Sequence, residues 1–365
     1  MLMLGIETSC DETAAALVES TADLERPWRI RSNVVASQVE IHREWGGVVP
    51  ELASRQHVRD ICGVVERALA EGGAAWREVG AVAVTEGPGL VGSLLVGVSF
   101  AKSAAWALDV PVVPVHHLAG HIESIWLAHG NVPLPAIILV VSGGHTSLYL
   151  VPKAGEYRLV GRTRDDAAGE AYDKVAKLMG LGYPGGPLVD ALSVEGQAAR
   201  FPLPFTRLTH PDRNAPDRDH RFDFSFSGVK TAVLRHVRLR QQELGVTALP
   251  DQDVRDLCAS FQYTVVETLL RRTFKAARWF EAASIGIAGG VSANRLLRAE
   301  AVRRGAQARV PVFVPPLALS TDNAAMIAAA GLRAHAAGRI GAPDLNAVPN
   351  LVLHANSEER PPPRP

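Results

Sequence analysis

The stretch His116-His117-Leu118-Ala119-Gly120-His121 sets two imidazoles, His117 and His121, four residues apart. On a helix such residues share a face with Cβ atoms roughly 6 Å apart, which suits two ligands on one metal ion. Spacing alone leaves a second reading open, two hydrogen-bonded histidines near a helix start. No Glu follows His117, so the HExxH arrangement of zinc proteases, whose Glu activates water, is absent. Asp322, within Ser320-Thr321-Asp322, offers a hard carboxylate as a third ligand. Its competing role is to cap the apolar helix expected over Ala324–Ala336, and one carboxylate can do both. Two imidazoles and a carboxylate leave coordination positions open, as catalytic iron or zinc sites require.

Other candidates lie in short turns. Glu7, Asp11 and Glu12 are three acids in one turn, either solvated or facing a cleft where one positions an amine or a water. Ser142-Gly143-Gly144-His145-Thr146 follows an apolar run; it reads as a tight hairpin turn or as backbone N–H donors for a phosphate or carboxylate. Gly289-Gly290-Val291-Ser292-Ala293-Asn294 follows another apolar run and opens a helix, a cradle for a phosphate or nucleoside. Helical phase puts Asp166, Glu170 and Asp173 near one face, ahead of the stiff turn Tyr183-Pro184-Gly185-Gly186-Pro187; a ribose could be held there. Arg207, Arg213, Arg218, Arg221, Lys230, Arg235, Arg238 and Arg240 form the best local candidate for phosphate-backbone contact, weakened by interleaved acids.

These residues need a frame. Leu2–Leu17 reads as strand, small polar turn, strand, and Ala136–Val151 repeats that plan. The repeat implies a duplicated architecture with one hairpin opening each lobe. Ala81–Thr85 and Val112–Val115 read as further strands, Ser93–Leu108 and Asp253–Phe280 as helices. Two hairpin-led α/β halves around a cleft predict an actin-like, sugar-kinase-like fold. The expected division is residues 1–130, completed by a C-terminal helix at about 323–350, and residues 131–322 with a helical insertion at about 160–280. Residues 355–365 read as a disordered tail.

At 365 residues, 47% of them hydrophobic, the chain supports two lobes with sizeable cores. Its formal net charge of zero argues against a uniformly basic nucleic-acid binder. The three cysteines, Cys10, Cys62 and Cys258, suggest neither a disulfide framework nor a Cys-based zinc site, and a reducing, cytoplasmic location fits. Neither a signal peptide nor a convincing membrane span is read from the sequence.

Together the motifs carry a family resemblance over most of the chain. Gly5–Thr13 (GIETSCDET), Gly46–His57 (GGVVPELASRQH), Thr85–Gly97 (TEGPGLVGSLLVG), His116–His121, Leu139–Thr146 (LVVSGGHT), Asp165–Pro187, Phe224–Val233 (FSFSGVKTAV), Gly289–Arg298 (GGVSANRLLR) and Ser320–Ala328 (STDNAAMIA) resemble, in order, the TsaD family of bacterial tRNA N6-adenosine threonylcarbamoyltransferases. The resemblance implies an ASKHA fold of two actin-like lobes. It implies transfer of threonylcarbamoyl from threonylcarbamoyl-AMP to N6 of the adenosine 3′ of the anticodon, in tRNAs reading ANN codons, with release of AMP.

The family's metal ligands fall on His117, His121 and Asp322, for one divalent ion per subunit, iron with zinc as the alternative. Its substrate contacts fall on Val140, Val141, Ser142, Gly143, Gly144, Asp173, Gly186, Asp190 and Asn294. Within that frame Ser142 donates where negative charge builds, and Glu12 orients the adenine amine or its proton. The implied partners are tRNA, a paralogous ASKHA subunit of the TsaB type and a P-loop ATPase of the TsaE type, with the helix around Gly87–Leu108 as a pairing face. Two departures stand out. Ala119 occupies a place where the family often has Glu, and Trp45 one where it commonly has Tyr. Rival readings are a small-molecule ASKHA carbamoyltransferase or kinase, a metalloendopeptidase and a non-catalytic scaffold subunit.

Overall fold

The computed structural model describes residues 1–206 and 222–353. The expected tail and four members of the basic cluster (Arg207, Arg213, Arg218, Arg221) lie outside the described residues.

Two five-stranded sheets form the frame. β1 (Leu2–Glu7), β2 (Glu12–Ser20) and β3 (Trp28–Ser37) run antiparallel as neighbours, and β4 (Ala81–Gly87) and β5 (Val112–His116) add in parallel beyond β1. The order is β3-β2-β1-β4-β5. The second sheet holds β6 (Ala136–Val141), β7 (Thr146–Val151), β8 (Arg158–Arg162), β9 (Ser284–Ala288) and β10 (Val312–Phe313) in the order β10-β9-β6-β7-β8. Read from its β8 edge, this is the topology of the first sheet. The chain is therefore a duplicated α/β protein of two actin-like lobes, as the two hairpin blocks predicted. β6 and β9 are buried along their whole length and read as near-continuous apolar runs, as strands covered on both faces must.

Ten helices flank the sheets among the described residues: α1 (Val39–Arg43), α2 (Pro50–Glu71), α3 (Val91–Leu108), α4 (His117–His129), α5 (Ala168–Leu178), α6 (Gly185–Ser193), α7 (Ser227–Leu244), α8 (Asp251–Trp279), α9 (Arg295–Ala308) and α10 (Ala324–Ala336). α3 is long and apolar enough to cross a bilayer by composition. Here Val98, Ala101 and Ala105 pack into a core with Ile6, Val65, Val82 and Val84 of the first lobe. Between β8 and β9 the described residues carry the four helices α5 to α8.

Two expectations need correction. The C-terminal helix ends at Ala336 rather than near residue 350. The segment after it runs back along the first sheet as an irregular strap, with Gly341 N donating to Val112 O (2.7 Å) and Val348 N to Glu86 O (2.7 Å). Asp166 also lies outside any helical face, because α5 starts at Ala168; its carboxylate instead takes Lys174 Nζ at 2.7 Å. The strand β3 and the helix α2 were not foreseen.

α4 and α10 cross between the sheets. α4 carries Ala119, Ile122 and Ile125 into a core with β6, and α10 lies on β1, β2 and β4. Two glycines permit the close approach. A Cβ on Gly5 of β1 would stand 2.3 Å from Ala324 O, and one on Gly120 of α4 would stand 2.8 Å from Ile327 Cδ1. Further along, Arg333 Nε of α10 lies 2.7 Å from Glu123 Oε1 of α4, and Tyr157 Oη from the second lobe donates to the same oxygen at 2.6 Å. The Arg333 guanidinium also sits 4.8 Å over the Trp28 ring. Glu123 is 1% exposed, so removing it strands a largely buried cation. Glu123→Ala is expected to lower unfolding free energy by about 3 kcal/mol; a urea denaturation midpoint equal to wild type would contradict this.

Candidate active site

The site is assembled where β1, β5 and the start of α10 meet. β5 runs directly into α4, so His117 opens the helix and His121 follows one turn later on the same face. Their ring centroids are 4.7 Å apart at an interplanar angle of 83°. Asp322 reaches them from the turn before α10. Asp322 Oδ1 lies 3.1 Å from His121 Nε2 and 3.6 Å from His117 Nε2. The cap of α10 is Asn323, which accepts from Met326 N at 3.1 Å. The capping role considered for Asp322 belongs to its neighbour, and its carboxylate is free to face the imidazoles.

A buried carboxylate organises this cluster. Glu7, at the end of β1 and 1% exposed, accepts from Thr85 Oγ1 (2.7 Å) and Ser9 N (2.5 Å). Its Oε2 lies 3.0 Å from His117 Nδ1, with Ser9 Oγ 3.2 Å from the same nitrogen. An ionised carboxylate only accepts, so Nδ1 carries the hydrogen and Nε2 is turned toward Asp322 and His121. Burial raises the Glu7 carboxyl, but His117 outweighs it and holds Glu7 below its usual range.

The donor set fits a divalent metal ion. The ligand atoms of His117, His121 and Asp322 all lie within 4.8 Å of one another. Both ring nitrogens of His121 are buried without a hydrogen-bond partner among the described residues. A buried, unpartnered imidazole nitrogen is costly unless something binds it, and 3.1 Å from Asp322 it lacks hydrogen-bond alignment. Imidazole and carboxylate together suit iron or zinc.

Charge follows the same logic. Burial pushes the His117 imidazole down, yet Asp322 and Glu7 overcome it and carry it to about 9. Burial likewise raises the Asp322 carboxyl, but His117 and His121 hold it well below the usual carboxylate range. His145, from the Ser142–Thr146 turn of the second lobe, is pushed to about 4, by burial first and then by the charges of His117 and His121. That coupling sets the second-lobe turn against the triad. Glu12 opens β2 beside this cluster, where burial and the charges of Asp322 and Asp11 push it well above the usual carboxylate range.

The second lobe supplies the facing wall. Gly143 and Gly144 are exposed with open space where a Cβ would stand. Ser142 closes the turn by donating its N–H to His145 O (2.8 Å), while its Oγ accepts from His145 N (3.2 Å). Val140 and Val141 are fully buried in β6, so their side chains do not face the cleft. Asp173 accepts from Gly185 N at 2.7 Å at the start of α6, with Gly186 beside open space. Burial, then the distant Asp11 charge, raises Asp173, and Tyr183 is raised by burial and by Asp11 and Asp173. The two turns therefore sense each other across the cleft.

Asp190 and Asn294 come together and are engaged within the protein. Asn294 caps α9 by accepting from Leu297 N (2.9 Å) and donates to Gln262 Oε1 (2.7 Å) and Asp190 Oδ1 (3.2 Å). Arg295 Nε donates to Asp190 Oδ2 at 2.7 Å. Sequence reading missed Gln262, whose signal was a polar side chain on the buried face of α8, and gave His145 no role of its own. Ala119 packs in the apolar core beside Leu118 and Ile122, so support for the histidines comes from Glu7 rather than from position 119.

A two-lobed actin-like α/β fold with a His-His-Asp metal-ligand cluster in its cleft defines an ASKHA-type enzyme scaffold. A family model described as TsaD, tRNA N6-adenosine threonylcarbamoyltransferase, matches residues 29–329. Proteins of that name from Koribacter versatilis (48% identical, 96% of this chain and 99% of that protein), Anaeromyxobacter dehalogenans (50%, 95% and 98%) and Bacillus subtilis (48%, 97% and 96%) align along nearly the whole length. The chain belongs to the TsaD family of tRNA N6-adenosine threonylcarbamoyltransferases.

His117 at about 9 in the folded chain, against 6.5 when unfolded, favours the protonated ring; that stability is fully present below 6.5 and lost as pH rises through 9. A metal needs the unprotonated Nε2, so affinity should rise with pH across that window and uptake at neutral pH should release about one proton. Glu7→Gln should weaken zinc or cobalt binding about 10- to 100-fold while leaving the near-UV circular dichroism unchanged. Equilibrium dialysis showing wild-type affinity would remove Glu7 from this role.

Proposed function

We propose that this cleft carries the threonylcarbamoyl transfer to tRNA, with threonylcarbamoyl-AMP as donor and N6 of the adenosine 3′ of the anticodon as acceptor, in tRNAs reading ANN codons. The observation that carries the reading is the Glu7–His117 and His121–Asp322 cluster facing the Ser142–Gly144 turn from the opposite lobe. His117, His121 and Asp322 hold one divalent ion per subunit, iron with zinc as the alternative. When bound, that ion supplies a Lewis acid for the carbamoyl and carboxylate oxygens of the donor.

The chain's own residues do the rest. The donor is a mixed carbamic–phosphoric anhydride; Ser142 closes the turn onto His145 O, and the N–H groups of Gly143 and Gly144 donate where negative charge develops on its oxygens. Val140 and Val141 act only by fixing the strand end that aims this turn. Asp173 and Gly186 line the nucleotide end, and Asp190 and Asn294 hold its wall through Arg295 and Gln262. The adenine amine attacks the carbamoyl carbon, the new C–N bond forms, and the bond from that carbon to the phosphate oxygen breaks. AMP leaves with the electron pair. An exocyclic amine is a weak nucleophile, so positioning between the lobes supplies much of the rate. Glu12 orients the amine or takes its proton; the same environment that raises its carboxyl makes it a better base than an exposed acid. Buried Glu7 is committed to His117 and leaves this task to Glu12.

A tRNA substrate supports a cytoplasmic location as part of this reading. The reading includes a TsaB-like paralogous subunit and a TsaE-like P-loop ATPase as partners. α3 is the pairing face for the first of these: Val91, Leu95 and Trp106 are 55%, 41% and 86% exposed on a helix otherwise packed on the core.

Two measurements test these assignments. Glu12→Gln should lower formation of N6-threonylcarbamoyladenosine at least about 100-fold, in the range of lost acid–base assistance, while metal content stays at wild type. Full transfer by the variant, read from nucleosides of digested tRNA, would reject Glu12. Trp106→Glu should abolish co-elution with the paralogous subunit and spare tRNA-free folding; unchanged co-elution would move the pairing face elsewhere.

A further inference from the structure

The zero net charge hides a strong asymmetry. Residues 1–130 carry 9 Lys and Arg against 16 Asp and Glu, a net of −7, whereas residues 222–309 carry 14 against 8, a net of +6. An acidic first lobe repels a polyanion and the helical layer of the second lobe attracts it.

Within that layer α7 has a distinctive outer face. Val229, Val233 and Val237 are buried against the core, and the opposite stripe presents Thr231, Arg235, Arg238 and Gln242 at helical spacing, all exposed. Arg235, Arg238 and Gln242 can donate outward, Thr231 turns its hydroxyl hydrogen to Ser227 O (3.1 Å), and no carboxylate interrupts the stripe. The acids near α7 are engaged elsewhere: Glu243 and Asp253 with Arg240 (3.2 and 2.7 Å), and Asp166 near Lys230 (3.9 Å). Arg235 and Arg238 have no ion-pair partner among the described residues. Arg and Gln donors without acids are side chains that contact nucleic-acid phosphates.

The start of α7 is tied to the cleft. The Asp165 carboxylate accepts from Ser225 Oγ (2.5 Å), Phe226 N (2.7 Å), Ser227 N (3.2 Å) and Ser227 Oγ (2.9 Å). From Asp165 the chain enters α5, where Ala168 N donates to Thr146 Oγ1 (2.9 Å) and Gly169 N to Ser142 O (3.1 Å). α7 thus starts beside the Ser142–Gly144 wall and runs outward for about 27 Å over its 18 residues at 1.5 Å each, with the Thr231–Gln242 stripe covering about 17 Å of it.

We propose that the Thr231–Arg235–Arg238–Gln242 stripe of α7 is a docking rail for the phosphodiester backbone of the tRNA stem, which leads the anticodon loop into the cleft. This rests on the tRNA-transferase reading and adds to it the surface that holds the acceptor. Contacts of this kind set affinity and orientation without reading sequence.

The test uses the full chain and an unmodified tRNA transcript reading an ANN codon, with binding followed by fluorescence anisotropy across a potassium chloride series. Arg235→Gln/Arg238→Gln should weaken binding about tenfold and flatten the slope of log affinity against log salt by roughly 1.5 to 2. Arg55→Gln/Arg59→Gln, exposed on α2 of the acidic lobe, should leave both unchanged. Equal melting temperatures and cobalt uptake establish that the variants are folded. Wild-type affinity and slope in the α7 variant would overturn the rail, as would loss of a protein partner with tRNA binding intact. Failure of the wild-type chain to bind tRNA would instead count against the transferase reading.

Discussion

The crossing of α4 on α10 is the constraint on which the rest depends. One helix is delivered by the last strand of the first sheet and packs on the second sheet, and the other lies on the first sheet. Their contact is close because glycine stands at position 120, and α10 sits down on β1 because glycine stands at position 5; a side chain at either place would strike α10. The near ends of the helices bring His117 and His121 against Asp322, and Glu123 in the middle of α4 ties to Arg333 near the end of α10. Two ligands of a cluster built this way sit on a rigid helix and the third in the short turn that a second helix anchors, which keeps a coordination geometry within the tolerance that chemistry demands.

Duplication explains why a cleft exists at all. Each sheet opens with a hairpin of six residue pairs between interior strands, and each hairpin closes in a turn at the strand ends. The first turn carries Glu7, Asp11 and Glu12, the second Ser142 to Thr146. Equivalent positions in two related lobes thus face one another with opposite chemistry: acids that hold imidazole and proton on one side, backbone donors and open glycine space on the other. The lowered His145 follows from burial and from the His117 and His121 charges across the cleft, and the raised Glu12 from burial and the carboxylates of Asp322 and Asp11 in its own cluster.

The supporting residues also distribute work in a way that the first-named ligands conceal. Glu7 fixes which nitrogen of His117 is available, a task that Ala119 cannot perform and that needs no residue there. Gln262 and Arg295 fix Asn294 and Asp190, so the nucleotide wall behaves as a prearranged surface. Prearranged donors cost no reorganisation during reaction, which is the physical basis of electrostatic catalysis.

Local sequence determined much of this. Period-two apolar runs around small turns announced both hairpins, and their repetition announced two lobes, because strand alternation and turn chemistry act over a few residues. The four-residue spacing of His117 and His121 is a property of one helix, so the pair was legible without a fold. The family motifs carried Asp322 to the same site. What the sequence left open were relations between distant segments. Whether Asp322 or Asn323 caps α10 depends on where β1 lets that helix sit. That Glu7 and not residue 119 supports His117 depends on the end of β1 lying beside the start of α4. The extended strap after Ala336 supplies N–H partners to Val112 O of the edge strand β5 and to Glu86 O at the register shift in β4. Such pairings are chosen by packing and hydrogen-bond satisfaction across more than a hundred residues, and only the tertiary structure decides them.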